Sequence, residues 1–281
     1  MLNSVTDKHS HKPVHATGSF SLEITDLTVR FGNQVALESL SLEIEPGLRV
    51  SVVGPNGAGK STLFSVIAGV LPASSGKVKV YGHGPAEDIC IAYVTQSTEL
   101  DWTFPVSLRE VVMMGRAGQL GLLRRPGPRD REIVDQSLKT VQLLHLAGRQ
   151  IGELSGGQKQ RLLIARALAQ EADLVLLDEP LAGLDLPSQE QIFTILDELR
   201  TRHVTVLFAT HDLELASSHF DRILLLNSHL IAYGDRKEVL TGDHLAQAYG
   251  GRMETVDTDQ GKFIIADSGG HHGHEGEGRH G

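Results

Sequence analysis

Two short segments carry residue types and spacings suited to phosphoryl chemistry. Gly54, Pro55, Asn56, Gly57, Ala58, Gly59, Lys60 and Ser61 fit the pattern G-x-x-x-x-G-K-[ST]. The apolar run Arg49-Val-Ser-Val-Val53 precedes them, and the helix-like run Thr62-Leu-Phe-Ser-Val-Ile-Ala68 follows, which is the context this pattern requires. The glycines let successive backbone N–H groups turn inward around phosphate oxygens, where a Cβ would obstruct. The helix start adds a partial positive charge to the same anion. Lys60 supplies a full charge to β and γ phosphates, and the Ser61 hydroxyl takes one position on Mg²⁺, an ion that keeps most of its octahedron from water and phosphate. Downstream, Leu174-Val-Leu-Leu-Asp-Glu-Pro180 sets two carboxylates at the end of a buried strand. Asp178 is placed to hold Mg²⁺ through water, and Glu179 to polarise an attacking water as general base.

Chemistry of this kind needs a frame that brings the two segments together. Arg49-Val-Ser-Val-Val53 and Leu174-Val-Leu-Leu177 are short apolar runs suited to strands buried on both faces, and Thr205-Val-Leu-Phe-Ala209 and Arg222-Ile-Leu-Leu-Leu226 extend the series. Ser21-Leu-Glu-Ile-Thr25, Leu27-Thr-Val-Arg-Phe31 and Leu40-Ser-Leu-Glu-Ile44 alternate apolar and polar residues, as half-buried antiparallel strands do. Residues 106–150 read as helical and are broken at Pro126-Gly-Pro128; Val134, Leu138, Val141 and Leu144 line one apolar helix face, expected to be core. The pattern is an α/β core of strands with an inserted helical unit, and no internal repeat is visible.

At roughly 150 residues per domain, a chain of 281 residues has room for about two units. Its 40% hydrophobic and 22% charged residues are ordinary globular composition. A net charge of −9 and a pI near 5.8, with no long Lys/Arg run, argue against nucleic acid as the main partner. The single cysteine, Cys90, excludes an intramolecular disulfide and any CxxC site; it is expected to be a small buried thiol. No stretch approaches the ~18 uninterrupted apolar residues of a membrane span, and the N-terminus lacks the apolar region of a secretory signal. The expected location is therefore the cytoplasm, with any work at a membrane done by docking onto a spanning partner. Residues 1–18 read as a disordered polar tail, and Gly/His-rich residues 267–281 as another. Half of the fourteen histidines lie in these two tails. Met253-Glu-Thr-Val256 and Lys262-Phe-Ile-Ile265 flank a Gln-Gly turn, so that 252–266 can form a β-hairpin extension.

A third segment, Leu154-Ser-Gly-Gly-Gln-Lys-Gln-Arg161, combines with the phosphate loop and the Asp178–Glu179 pair into a pattern that resembles the ATP-binding subunits of ABC transporters. The resemblance covers roughly residues 20–250. It implies an α/β fold of the P-loop NTPase type: a RecA-like core, an antiparallel β subdomain and an inserted α-helical subdomain at about 97–165, all within an ATP-binding domain at 19–251. It also implies ATP and Mg²⁺ as ligands. Phe31 matches the aromatic position that stacks on adenine. Gln96 matches the glutamine that senses Mg²⁺ and the γ-phosphate, Asp185 lies in the loop that crosses to a partner subunit, and His211 matches the histidine on the γ-phosphate. Thr62 follows Ser61 in the nucleotide loop. Ser155, Gly156, Gly157 and Gln158 open a helix whose free N–H groups and dipole suit a γ-phosphate. In the family this segment completes the site of the second subunit, so the resemblance implies a two-fold homodimer in which ATP favours closure and its hydrolysis releases it.

The family's groove for a helix of an integral-membrane permease corresponds to Ser97-Thr-Glu-Leu-Asp-Trp-Thr-Phe-Pro-Val106, where Trp102 and Phe104 are either interface anchors or packing for the helical unit. Asp101–Val106, Val111-Val-Met-Met-Gly-Arg116 and Leu240–Gly251 are similar to the subgroup serving zinc, manganese or iron uptake, which works with an extracytoplasmic metal-binding protein. Siderophore and cobalamin importers share parts of these segments. Non-transport ABC ATPases are the reading from another class; the single cassette, short insert and acidic charge speak against it. His271, His272 and His274 in the C-terminal tail suit weak, exchangeable coordination of a transition metal, or are solvated low-complexity sequence without a ligand.

Overall fold

A computed structural model describes residues 20–85, 91–96, 100–120, 125–250, 253–258 and 261–266. The polar tail 1–18, Cys90, residues 97–99 of the helical insert and the Gly/His tail 267–281 lie outside the described residues.

In chain order the strands are β1 (Leu22–Phe31), β2 (Gln34–Ile44), β3 (Arg49–Val53), β4 (Ser75–Val80), β5 (Ile91–Val94), β6 (Leu174–Asp178), β7 (Thr205–Thr210), β8 (Arg222–Asn227), β9 (His229–Gly234), β10 (Met253–Thr258) and β11 (Gly261–Ala266). The helices are α1 (Lys60–Ile67), α2 (Leu108–Met114), α3 (Ala117–Leu120), α4 (Pro128–Thr140), α5 (Gly156–Leu168), α6 (Leu186–Thr201), α7 (Leu213–His219), α8 (Arg236–Val239) and α9 (Gly242–Tyr249), with 3₁₀ turns at Leu144–Leu146 and Ile151–Glu153.

The main sheet runs β5-β6-β7-β3-β8-β9. Its pairs are parallel from β5 through β8, and β9 closes the edge antiparallel. Every residue of β3, β6 and β7 is buried, because both faces of these strands are covered. One face packs against α1 and the antiparallel sheet β2-β1-β4, through Phe64, Ile67, Leu37 and Leu22. The opposite face packs against helices through Leu162, Leu138, Leu196 and Phe208. The two alternating runs expected around residue 26 are a single strand, β1. Asp26 sits there at φ +48 and the pairing register shifts, a bulge that absorbs the break in alternation. β10 and β11 pair antiparallel as a two-stranded sheet.

The parallel order has one consequence for chemistry. The chain leaves β3 into the phosphate loop, β5 toward Gln96, β6 into Asp178–Glu179 and β7 toward His211, all at the carboxyl ends of neighbouring strands, where open α/β sheets hold ligands.

The helical unit is knit by polar as well as apolar contacts. Val134, Leu138 and Val141 are buried as expected, but Leu144 is 38% exposed. The helix ends at Thr140, and Gln142 turns at φ +59, which rotates Leu144 off the face. Buried Arg116 donates from Nε to Asp130 Oδ1 at 3.1 Å and from Nη1 to the Ala169 carbonyl at 2.9 Å, joining the end of α2 to α4 and to the C-terminus of α5. Among the described residues no helix is long and apolar enough to cross a membrane.

Candidate active site

Gly54 leaves β3 directly beneath the turn of the phosphate loop. Gly59 closes it at φ +97, and a Cβ there would stand 2.7 Å from the Ala36 carbonyl and 2.6 Å from Leu37 Cδ2, so the position admits no side chain. α1 begins at Lys60 with no side-chain cap and no acidic residue in its first turn. Its leading N–H groups are thus left without a local carboxylate, as an anion site requires. The Lys60 ammonium is buried and donates to the carbonyls of Gly54 (2.8 Å) and Pro55 (3.1 Å). Burial lowers its pKa, against the pull of the Glu179 and Asp178 carboxylates, which raise it.

Asp178 ends β6 almost fully buried. Burial is the largest influence on its carboxyl and holds it above the ordinary aspartate value; hydrogen bonds from the Ser61 and Tyr93 hydroxyls work the other way. Tyr93 Oη stands 3.5 Å from Oδ2, while Oδ1 is buried without a hydrogen-bond partner. An orphaned carboxylate oxygen beside a serine hydroxyl fits a hard, oxygen-seeking cation such as Mg²⁺.

Glu179 follows at φ +46, a conformation unusual for a residue with a side chain, and its N–H is tied to the Ala209 carbonyl at 3.1 Å. Its carboxylate meets two other predicted residues: Gln96 Nε2 donates to Oε2 at 3.1 Å, and His211 Nδ1 lies 3.6 Å from Oε1. Three strands thus bring a candidate base, an amide and an imidazole to one point beside the phosphate loop.

The chain matches the ABC transporter family over residues 37–182. It belongs to that family. The manganese transport system ATP-binding protein MntB of Bacillus subtilis is 43% identical over 235 residues, covering 83% of this chain and 94% of that protein. The zinc transport system ATP-binding protein TroB of Treponema pallidum is 40% identical over 239 residues, covering 85% and 90%. A metal-chelate type ABC transporter solved in an inward-facing conformation superposes with a TM-score of 0.75 at 29% identity, covering 88% of this chain and 96% of that one.

Other residues expected of an ABC protein sit at the starts of α5 and α6, where their hydrogen bonds close on those helix starts and not on this cluster. Ser155 caps α5 in a reciprocal box with Gln158: Gln158 N–H donates to Ser155 Oγ at 3.3 Å, and Ser155 N–H to Gln158 Oε1 at 3.0 Å. Ser155 and Gly156 are exposed, whereas Gly157 is buried against Ser188 at the start of α6. Asp185 caps α6 by accepting from Ser188 N–H at 3.1 Å, and its hydrogen bonds to Ser188 hold its carboxyl below the ordinary value. Leu186 beside it is 74% exposed. Phe31 presents an open ring at the end of β1, 53% exposed. Trp102 and Phe104 divide the two readings between them: Trp102 is half-buried against the helical core, and Phe104 is 58% exposed. His271, His272 and His274 lie outside the described residues.

Tyr93 is the residue sequence reasoning missed. It has the look of a strand residue, yet its ring meets Phe64 edge-on at 6.2 Å and its hydroxyl points to Asp178. Its place near the carboxyl end of a parallel strand, three residues before Gln96, was the available signal.

Proposed function

We propose that this chain is the ATP-hydrolysing subunit of an importer of transition-metal ions. The convergence of Gln96, Glu179 and His211 beside the phosphate loop carries the reading. The loop from Gly54 to Thr62 receives the phosphates through the backbone N–H groups of its residues other than Pro55, Lys60 exchanges its two loop carbonyls for phosphate oxygens, and Phe31 offers its exposed face to adenine. Glu179 takes the proton of the attacking water, with Gln96 and His211 orienting its carboxylate and the γ-phosphate. Ser61, Asp178 and Gln96 are the residues that would hold Mg²⁺, whose bound charge neutralises the phosphates in transfer.

A single copy leaves the cap at Ser155 to Gln158, and Asp185, away from its own Glu179 cluster. A two-fold pair of copies places this segment of each on the nucleotide of the other, and both sites become complete. The working divisions are an ATP-binding domain at 19–251 with its helical insert at about 97–165, tails at 1–18 and 267–281, and a hairpin extension at 252–266. The pair sits on the cytoplasmic face of a membrane through a separate permease, fed from outside by a metal-binding protein. The relatives that support this cargo class serve manganese (43% identical), zinc (40%) and chelated iron (40%).

The test uses Glu179→Gln in the full chain. With ATP it forms a stable dimer by light scattering and hydrolysis is lost; a protein that stays monomeric at saturating ATP overturns the shared site. Uptake of manganese, zinc and chelated iron by cells lacking the chain tests the cargo, and undiminished uptake of all three overturns it.

A further inference from the structure

The segment around Phe104 is linked toward the cap of α5 in two ways: backbone bonds to the stretch that leads into the cap, and a side-chain contact with Lys159 in the first turn of α5. Ile151 N–H donates to the Val106 carbonyl at 3.1 Å, Leu108 N–H to Arg149 at 3.1 Å, and Arg109 N–H to Ala147 at 3.0 Å. These bonds lie in the stretch immediately before Leu154–Ser155. The carbonyl of Trp102 rests on Gly152 so closely that a Cβ there would stand 3.0 Å away. The indole then reaches across to α5, with the Lys159 ammonium 4.9 Å from the ring centroid. Lys159 follows Gln158, one half of the reciprocal cap.

We propose that Trp102 and Lys159 are positioning residues: their contact holds the exposed 100–106 segment and the first turn of α5 as one body, so that a force on Phe104 reorients the N–H groups offered at Ser155. This rests on the proposed function, in which those groups close on the nucleotide of a second copy. A cation over a tryptophan face is attracted by the ring quadrupole, most strongly among the aromatics. Lys159 is half-buried at this contact, so the pull of its ammonium on the ring sets a direction where the packing of Trp102 alone would allow sliding. Without the contact, the first turn of α5 samples more orientations, and dimer closure must select among them. Such a cost falls on closure and is overcome by more ATP. It therefore shows in the nucleotide concentration needed and not in the maximal rate.

ATP titrations of steady-state hydrolysis by the full chain test this. Lys159→Met keeps the length and helix preference of the side chain and removes its charge. It raises the ATP concentration for half-maximal rate about two- to fivefold, the size of one exposed cation–ring contact, at unchanged maximal rate and melting temperature. Lys159→Arg restores the parent value. Trp102→Leu gives the same rise, and combining it with Lys159→Met adds nothing, as two halves of one contact must. An unchanged titration for Lys159→Met, equal losses for Met and Arg, additive losses in the double variant, or a maximal rate falling together with the melting temperature each overturn the proposal. The Glu179→Gln dimer separates the two levels: if it forms normally while these titrations do not move, only the link fails, and if it never forms, the shared site itself fails.

Discussion

Gln96 Nε2 donates to Glu179 Oε2 at 3.1 Å, across the gap between the ends of β5 and β6. The candidate base is thus held from a neighbouring strand, with His211 on its other oxygen. Gln96→Ala removes the donor and frees the carboxylate to rotate. Misorienting a reacting group by about 1 Å costs on the order of a hundredfold, so the maximal rate should fall ten- to a hundredfold, in the same range, while ATP binding persists. Single-turnover hydrolysis beside calorimetric ATP binding checks this; an unchanged rate removes Gln96 from the machinery.

Lys60 feels the Glu179 and Asp178 carboxylates from a distance but donates its hydrogen bonds to the Gly54 and Pro55 carbonyls. That arrangement keeps a buried ammonium satisfied and ready to turn to phosphate. Lys60→Ala deletes charged hydrogen bonds worth about 1.5–3 kcal/mol each. ATP affinity in calorimetry should fall about ten- to a hundredfold for one such bond lost. Parent-like affinity would show that the loop backbone alone binds the phosphates.

Asp178 trades stability for readiness. Its raised pKa means that the folded chain holds the proton more tightly than the unfolded chain. The group's contribution to stability is full below the ordinary aspartate value of 3.8 and is lost as pH rises through the raised one. Above that window the buried carboxylate, with Oδ1 unpaired, works against the fold. Asp178→Asn should remove this pH dependence, raise the melting temperature of the nucleotide-free chain at neutral pH, and abolish hydrolysis. Parallel melts from about pH 4 to 8 decide it; a variant that melts lower than the parent at neutral pH contradicts it.

Most of the site was legible because its residues act through local chain geometry. The phosphate loop is a run of consecutive residues, and Asp178–Glu179 ends an apolar run that only a buried strand explains. What stayed hidden depends on distant pairings. Tyr93 reads as strand core until β5 is placed beside β6. Arg116 reads as a surface charge until α4 and the end of α5 close around it. Leu144 continued a helical period on paper, but the left-handed turn at Gln142 stops the helix first. The positive φ of Glu179 is likewise set by its bond to Ala209 on the neighbouring strand, which no local pattern announces.

Gly157 joins the starts of α5 and α6. A Cβ there would stand 2.3 Å from Ser188 Oγ and 2.8 Å from Ser188 Cβ. The hydroxyl can swing away, but the Cβ cannot, so Gly157→Ala forces the two helix starts apart. Overpacking of this kind costs about 1–3 kcal/mol, against about 1 kcal/mol gained from alanine's helix preference. The displaced parts are the Ser155–Gln158 cap and the Asp185 cap, both remote from the Lys60 loop. ATP binding to the single chain should therefore survive, while hydrolysis and the ATP-dependent dimer are lost together. Ser188→Gly supplies the control, since Asp185 keeps the backbone N–H of residue 188 as its helix cap and gives up only the bond from the Ser188 hydroxyl. Adding Ser188→Gly to Gly157→Ala makes room for the new methyl, keeps the cap, and should restore hydrolysis. If the double variant stays inactive, packing between the two helix starts is not what Gly157 provides.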